Sequence, residues 1–201
     1  LDGVIPAYPR ALEILDYAEK HEDEFDPSRI GLVMFTSGTS GTPKATQLSW
    51  ANLIGSANAA NAALTKPGRG VWQLVLPMCH IGGFQVMMRS LLNENVFVLY
   101  SRYQPTRVLN DALTYKVTHI SVVDKILSDL IEHDNDKIIS QYSCILLGGA
   151  ALNDKTISKA LRAKAKVFAS YGMTENSSMI ACAPISRGFD GGLRLLPGYQ
   201  T

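Results

Sequence analysis

The sequence predicts an α/β fold, a mostly parallel sheet flanked by helices, and three observations lead there. Short apolar runs recur along the 201 residues, and most are followed by a segment of helical period. That βαβα rhythm is the pattern of a parallel sheet covered by helices. Turn residues follow several of the runs directly, as in Gly148-Gly149-Ala150 after Cys144-Ile145-Leu146-Leu147. Composition is ordinary for a globular chain, 46% hydrophobic and 18% charged, enough for one large core or two small ones.

Pro9 to Glu24 forms an amphipathic segment, with Leu12, Ile14, Leu15 and Ala18 apolar. Ile30-Gly31-Leu32-Val33-Met34-Phe35 reads as a buried strand, and a helix is expected from about Ser49, which is suited to cap it, to Leu64. Val71 to Leu76 is the next strand and Gly83 to Asn93 the next helix. Strands at Val96–Tyr100 and His119–Val123 are each followed by a helical pattern, over 106–116 and 124–133. Cys144–Leu147 and Lys166–Ser170 complete the series around a helix at 153–164. The polar stretch Glu132 to Gln141 reads as a solvated surface loop. Ser186 to Gly192, with three glycines, reads as a mobile turn rather than a domain boundary.

The chemistry concentrates in the loops that leave strand ends, where ligands sit in open α/β sheets. Thr36-Ser37-Gly38-Thr39-Ser40-Gly41-Thr42-Pro43-Lys44 follows the first strand. Gly38 and Gly41 let backbone N–H groups approach phosphate oxygens, the hydroxyls of Thr36, Ser37, Thr39, Ser40 and Thr42 add donors, and Lys44 adds a mobile positive charge. No stretch matches the Gly-x4-Gly-Lys-Ser/Thr loop of the common NTPases, so a Walker-type ATPase is disfavoured. Gly148-Gly149-Ala150 and Tyr171-Gly172-Met173-Thr174-Glu175 are two further small-residue turns after strands. In the last, Glu175 offers the hard oxygen ligand that Mg2+ needs, Thr174 a hydrogen bond to a phosphate and Tyr171 a flat face for a purine.

These motifs, with Leu76-Pro77-Met78-Cys79-His80 between them, resemble in type and order the adenylate-forming enzymes: acyl-CoA synthetases, peptide-synthetase adenylation domains and beetle luciferases. The likeness covers about residues 28 to 201. Within that family, His80-Ile81-Gly82-Gly83 with Arg89, Thr118 to Val123 and Leu146 to Ala150 look most like the o-succinylbenzoate–CoA ligase branch of menaquinone synthesis.

The resemblance implies a two-step ligase. A carboxylate attacks the α-phosphate of Mg-ATP to give an acyl-adenylate and pyrophosphate, and the thiol of coenzyme A then displaces AMP. It further implies that the 36–44 loop holds the β- and γ-phosphates, that Glu175 ligates Mg2+, and that Thr174 contacts the α-phosphate. Tyr171 and Gly149 would flank adenine and His80 would line the acyl pocket. Arg89, nine positions after His80, is a candidate partner for a second carboxylate on the substrate through a bidentate pair, or else an arginine snorkelling from a half-buried helix. Cys79 is no strong nucleophile candidate, since no second histidine or acid is visibly organised around it. Ala45 stands where the family usually has glycine.

The resemblance also implies that residues 1–201 are the central and C-terminal part of the large ATP/AMP-binding domain. A ribose-binding aspartate, a hinge and a small C-terminal domain would lie beyond Thr201, and the isolated chain is expected to be inactive. Two other readings stay open: another acyl-CoA synthetase or peptide-synthetase adenylation domain, and a nucleotide-binding module without catalysis. Net charge of +1 gives no broad reason to bind nucleic acid. No apolar run approaches the roughly 20 residues of a membrane helix. Three widely spaced cysteines, Cys79, Cys144 and Cys182, suit a reducing, cytoplasmic setting. Oligomeric state is open, with self-association through the surface that further domains would cover as one expectation.

Overall fold

The computed structural model describes residues 25–36, 43–64 and 70–200. The amphipathic segment at 9–24 and residues 37–42 of the phosphate loop lie outside these. The architecture is α/β, with a seven-stranded sheet between two layers of helices and a separate two-stranded hairpin.

The hairpin comes first. Strand β1 (Ile30–Thr36) pairs antiparallel with β2 (Lys44–Ser49), and Thr36 is registered with Lys44. The first strand is therefore not a member of the parallel sheet, and it is not buried along its length: Val33 and Phe35 are exposed while Met34 points inward. Its partner escaped the sequence reading because Lys44-Ala45-Thr46-Gln47-Leu48-Ser49 has one buried apolar side chain, too few for a visible strand pattern. Helix α1 (Trp50–Leu64) follows. The Ser49 hydroxyl accepts from the Asn52 amide at 3.2 Å, and the Asn52 side chain accepts from the Ser49 amide at 3.0 Å, a reciprocal cap of the expected kind.

In the large sheet, β3 (Val71–Leu74), β4 (Val96–Leu99), β5 (His119–Val122), β6 (Cys144–Leu147) and β7 (Val167–Met173) are parallel. Two strands that the sequence reading did not contain, β8 (Ser178–Pro184) and β9 (Arg194–Leu195), continue the sheet antiparallel, in the order β4-β3-β5-β6-β7-β8-β9. Strands β5 and β6 are buried throughout, as central strands covered on both faces must be. Helix α2 (Ile81–Leu92) joins α1 on one face. Helices α3 (Pro105–Thr114), α4 (Asp124–His133) and α5 (Asp154–Arg162) cover the other. The larger core lies on that second face, where Val108, Leu109, Leu127 and Leu130 meet Ile120, Val122, Ile145 and Leu147.

Two further expectations are corrected. Residues 132–141 are not a solvated loop. The Asp134 carboxylate accepts from the amides of Ile138 and Ile139 at 2.7 and 3.0 Å and so starts a 3₁₀ turn (Ile138–Gln141) that buries both isoleucines. Tyr171-Gly172-Met173 is not a turn after a strand but the end of β7 itself, and only Thr174–Asn176 forms a 3₁₀ turn. Gly172 sits at a register shift where β7 crosses β8. A Cβ there would lie 1.9 Å from the Ser178 carbonyl oxygen, so the strand crossing demands glycine whatever binds nearby. Gly172→Ala is expected to cost about 1–3 kcal/mol of stability, read as a lower urea midpoint at unchanged slope.

Candidate functional site

A cavity of about 570 Å3 opens at the carboxyl ends of the parallel strands. Its position follows from topology. The chain runs from β3 outward to β4 and then returns to the other side of β3 with β5, so the loops after β3 and β5 diverge and leave a crevice. Leu76, Pro77 and His80–Gly83 after β3, Ser121–Val123 at the end of β5, Gly148 and Gly149 after β6, and Gly172–Thr174 at the end of β7 line it.

His80 is the residue before α2, with extended backbone (φ −108°, ψ 143°), and its imidazole does not cap the helix. It is exposed and lines the cavity. Its carbonyl takes the amides of Gly83 and Phe84, which fixes the helix start at the cavity rim. Gly149 lines the cavity with φ +87°, a left-handed turn that favours glycine. Ala150 is exposed and does not line it.

Arg89 is the centre of the deep end. It is 2% exposed, and its guanidinium carbon lies 5.0 Å from the Trp72 ring centroid. Nη2 donates to the Ser121 hydroxyl at 3.2 Å, and Nε has no partner. Among the described residues no carboxylate forms an ion pair with it. Burial pulls its pKa down to about 10, with the Cys144 thiol pulling weakly the other way. The snorkelling alternative is thereby set aside, because the head group is buried with its stem. Burial in turn pushes the Cys144 thiol up to about 12, whereas Cys79 is exposed.

Trp72, Ser121 and His119 surround the guanidinium; His119 and Ser121 lie in the Thr118–Val123 stretch that carries the family likeness, but none of the three is named as a site residue from the sequence. His119 stacks on Trp72 at 4.7 Å between centroids. Its Nε2 faces the Leu64 carbonyl at 3.1 Å, which requires the proton on that nitrogen, and Nδ1 faces the Thr118 hydroxyl at 2.6 Å. A signal was present: His119 and Ser121 are polar residues two apart on a strand that is otherwise apolar, one face of a buried strand turned polar.

On the phosphate side, the hairpin clamps the two ends of the 37–42 loop together, with the Thr36 hydroxyl donating to the Lys44 carbonyl at 3.4 Å. Lys44 is exposed at the head of β2. Strand β2, which begins at Lys44, approaches the Thr174–Asn176 turn to within 8 Å between Cα atoms. Thr174 lines the cavity half-buried, Glu175 is exposed, and Tyr171 is exposed outside the lining. No group of three or more His, Cys, Asp or Glu among the described residues is arranged to hold a metal. A single exposed carboxylate suits Mg2+, which takes few protein ligands and keeps water and phosphate oxygens.

A strand-end crevice with a buried cation in its lining marks a candidate ligand site on an α/β fold. The model of the AMP-binding enzyme family matches residues 5–195, and the chain belongs to that family. It is 34% identical over 172 residues to a 2-succinylbenzoate–CoA ligase of Staphylococcus epidermidis, covering 84% of this chain and 36% of the relative. It is 35% identical over 150 residues to the corresponding ligase of Bacillus subtilis, covering 74% and 30%. Among solved structures, it is similar to the B. subtilis o-succinylbenzoate coenzyme A synthetase in complex with ATP and magnesium ion (TM-score 0.73, 31% identity, 79% of this chain and 33% of that one). The same enzyme with the acyl-adenylate intermediate OSB-AMP gives a TM-score of 0.75 at 31% identity, with 79% and 33% covered. The chain thus spans about a third of the length of the curated relatives it matches. No described helix is long and apolar enough to cross a membrane.

Burial holds the His119 pKa below its ordinary 6.5, and the Leu64 carbonyl only partly offsets this. As pH falls below about 6.5 the unfolded chain takes up a proton that the folded chain refuses, so stability must fall. Unfolding free energy measured between about pH 7.5 and 5 is expected to decline. His119→Gln, which keeps a donor for Leu64, is expected to flatten that decline.

Proposed function

We propose that the protein of which this chain is part is an ATP-dependent, AMP-forming carboxylate–CoA ligase, with o-succinylbenzoate as its acyl substrate. The observation that carries the reading is a buried arginine, without a counter-ion among the described residues, lining the same cavity as Thr174. The names of the relatives support the substrate.

In this reading the 37–42 loop with Thr36 and Lys44 cradles the β- and γ-phosphates, and Thr174 donates to the α-phosphate. Glu175 would hold Mg2+, whose chemistry is to neutralise phosphate charge. Tyr171, Gly149 and Ala150 flank the adenine, with the Gly148 and Gly172-Met173 backbone forming the floor. A carboxylate oxygen of the acid attacks the α-phosphorus and pyrophosphate leaves. The sulfur of CoA then attacks the acyl carbon and AMP leaves. The catalytic contribution of these residues is positioning and charge neutralisation, the terms that dominate such displacements. His80, at the rim beside the start of α2, sits where the reacting carboxylate would lie, and Arg89 and Ser121 hold the far anionic end. A further C-terminal domain would supply the remaining groups. A cytoplasmic location belongs to the same reading, since three free cysteines and an ATP-consuming reaction suit that compartment.

Carboxylate-dependent ATP–pyrophosphate exchange by the full-length protein tests this. Exchange is expected with o-succinylbenzoate and not with fatty or amino acids; exchange with another acid alone would remove the substrate assignment, and none would favour a binding module. Arg89→Ala is expected to raise the KM for the diacid by about tenfold or more while the KM for ATP stays within about twofold. Equal effects on both would remove Arg89 from the acyl pocket.

A further inference from the structure

We infer that Gln85, in the middle of α2, is a positioning residue that holds the Thr174–Asn176 turn in place from behind. Gln85 is 1% exposed and does not line the cavity. Its Nε2 donates to the Ser177 hydroxyl at 2.9 Å and to the Leu53 carbonyl at 3.2 Å. The Ser56 hydroxyl of α1 donates to the Ser177 carbonyl at 2.7 Å. The Tyr199 hydroxyl donates to the Asn176 carbonyl at 3.3 Å. Three side chains from three separate segments therefore grip the two residues that follow Glu175.

The grip answers a backbone requirement. Ser177 has φ 58° and ψ 38°, and Ser178 has φ 94°, a left-handed pair without a glycine. Such conformations persist where the surroundings over-determine them, and they gather at functional sites. The Ser177 amide closes the turn on the Thr174 carbonyl at 2.9 Å. What the grip holds out toward the cavity mouth is Thr174 and Glu175, beside the strand that begins at Lys44. The same helix carries His80 at its start and Arg89 in its last turn. Helix α2 thus ties the acyl end of the cavity to its phosphate end through one buried amide.

The inference rests on the ligase reading for the roles of Thr174 and Glu175, and the experiment separates the two. In the full-length protein, Gln85→Met keeps volume and removes both hydrogen bonds; Ser56→Ala removes the second anchor independently; Met88→Leu, in the core of the same helix, is the structural control. Gln85→Met is expected to raise the KM for Mg-ATP in pyrophosphate exchange by about tenfold while the KM for the carboxylate moves less than about twofold. Ser56→Ala is expected to follow in the same direction, and Met88→Leu to leave both constants in place. Amide exchange at Ser177 is expected to quicken by about tenfold in Gln85→Met and not in Met88→Leu. Equal movement of both KM values, no movement, or the same pattern in the control would overturn the positioning role. If the wild-type protein shows no exchange with any acid, the ligase reading fails, and Ser177 amide exchange alone then decides whether Gln85 holds the turn.

Discussion

The pairing of β3 with β5 is the constraint on which the site depends. Only two registered pairs join these strands, Trp72 with His119 and Gln73 with Ile120, yet they connect the two halves of a sheet whose connections diverge at this point. The pleat sends each pair to opposite faces. On one side the Trp72 and His119 rings stack beneath the Arg89 guanidinium. On the other, the Gln73 amide donates to the Val108 carbonyl and the Tyr100 hydroxyl at 2.7 and 2.8 Å and accepts from Tyr142 at 2.5 Å. Burial pushes both tyrosines above their ordinary pKa, so both stay neutral in that network, Tyr100 as acceptor and Tyr142 as donor. A short contact is thus braced by cation–π and ring stacking above and by a nearly dry hydrogen-bond network below. The crevice keeps its shape because neither half-sheet can slide past the other without breaking one of these.

An arginine buried without an acid is expensive, since the guanidinium loses water and gains one hydroxyl and one π face in return. Natural cores seldom keep such a group unless something outside the fold uses it. The neighbours are informative in what they lack. Trp72, Ser121, His119 and Cys144 are all neutral near pH 7, and the stack and hydrogen bond orient the guanidinium without quenching its charge. A carboxylate neighbour would make a cheaper fold and a useless anion site. On the ligase reading, stability is given up here for recognition, the trade expected of a binding site.

How much of this was legible from the sequence divides along physical lines. The parallel strands and their helices were, because apolar runs of strand length alternate with helical periods and because Asp124–His133 and Cys144–Leu147 carry clear boundaries. The antiparallel additions were not. Lys44–Ser49 is solvated on most of its length, and Ser178–Pro184 reads as a mixed small-residue tract whose strand character comes from pairing with β7. Tyr171-Gly172-Met173 reads as a turn after a strand, whereas it is strand, and its glycine is demanded by the neighbouring backbone. His80 and Arg89 were legible as candidates, but the cation's burial was not, since exposure is set by the packing of α2 on α1 and β3 rather than by local pattern. Gln85 sits mid-helix among apolar residues, and its partners are 32 and 92 positions away. No local reading reaches them.

On the ligase reading, helix α2 relates the acyl site to the phosphate site on this scaffold. His80 and Arg89 are nine residues apart, which a helix spaces by about 13 Å along its axis. Side chains on a helix lean toward its N-terminus, so the Arg89 head group is drawn back toward His80 and the gap that a ligand must bridge is shorter than the axial distance. On the ligase reading, that gap measures the acid between its reacting carboxylate and its far anionic group. A rigid helix is a better ruler than two loops, because its hydrogen bonds forbid the length to drift. Gln85, between the two ends, ties the Thr174–Asn176 turn, which on the same reading meets the nucleotide, to that ruler. A displacement of α2 would therefore shift both substrates' sites together and preserve their relation, which two independently mounted loops could not do.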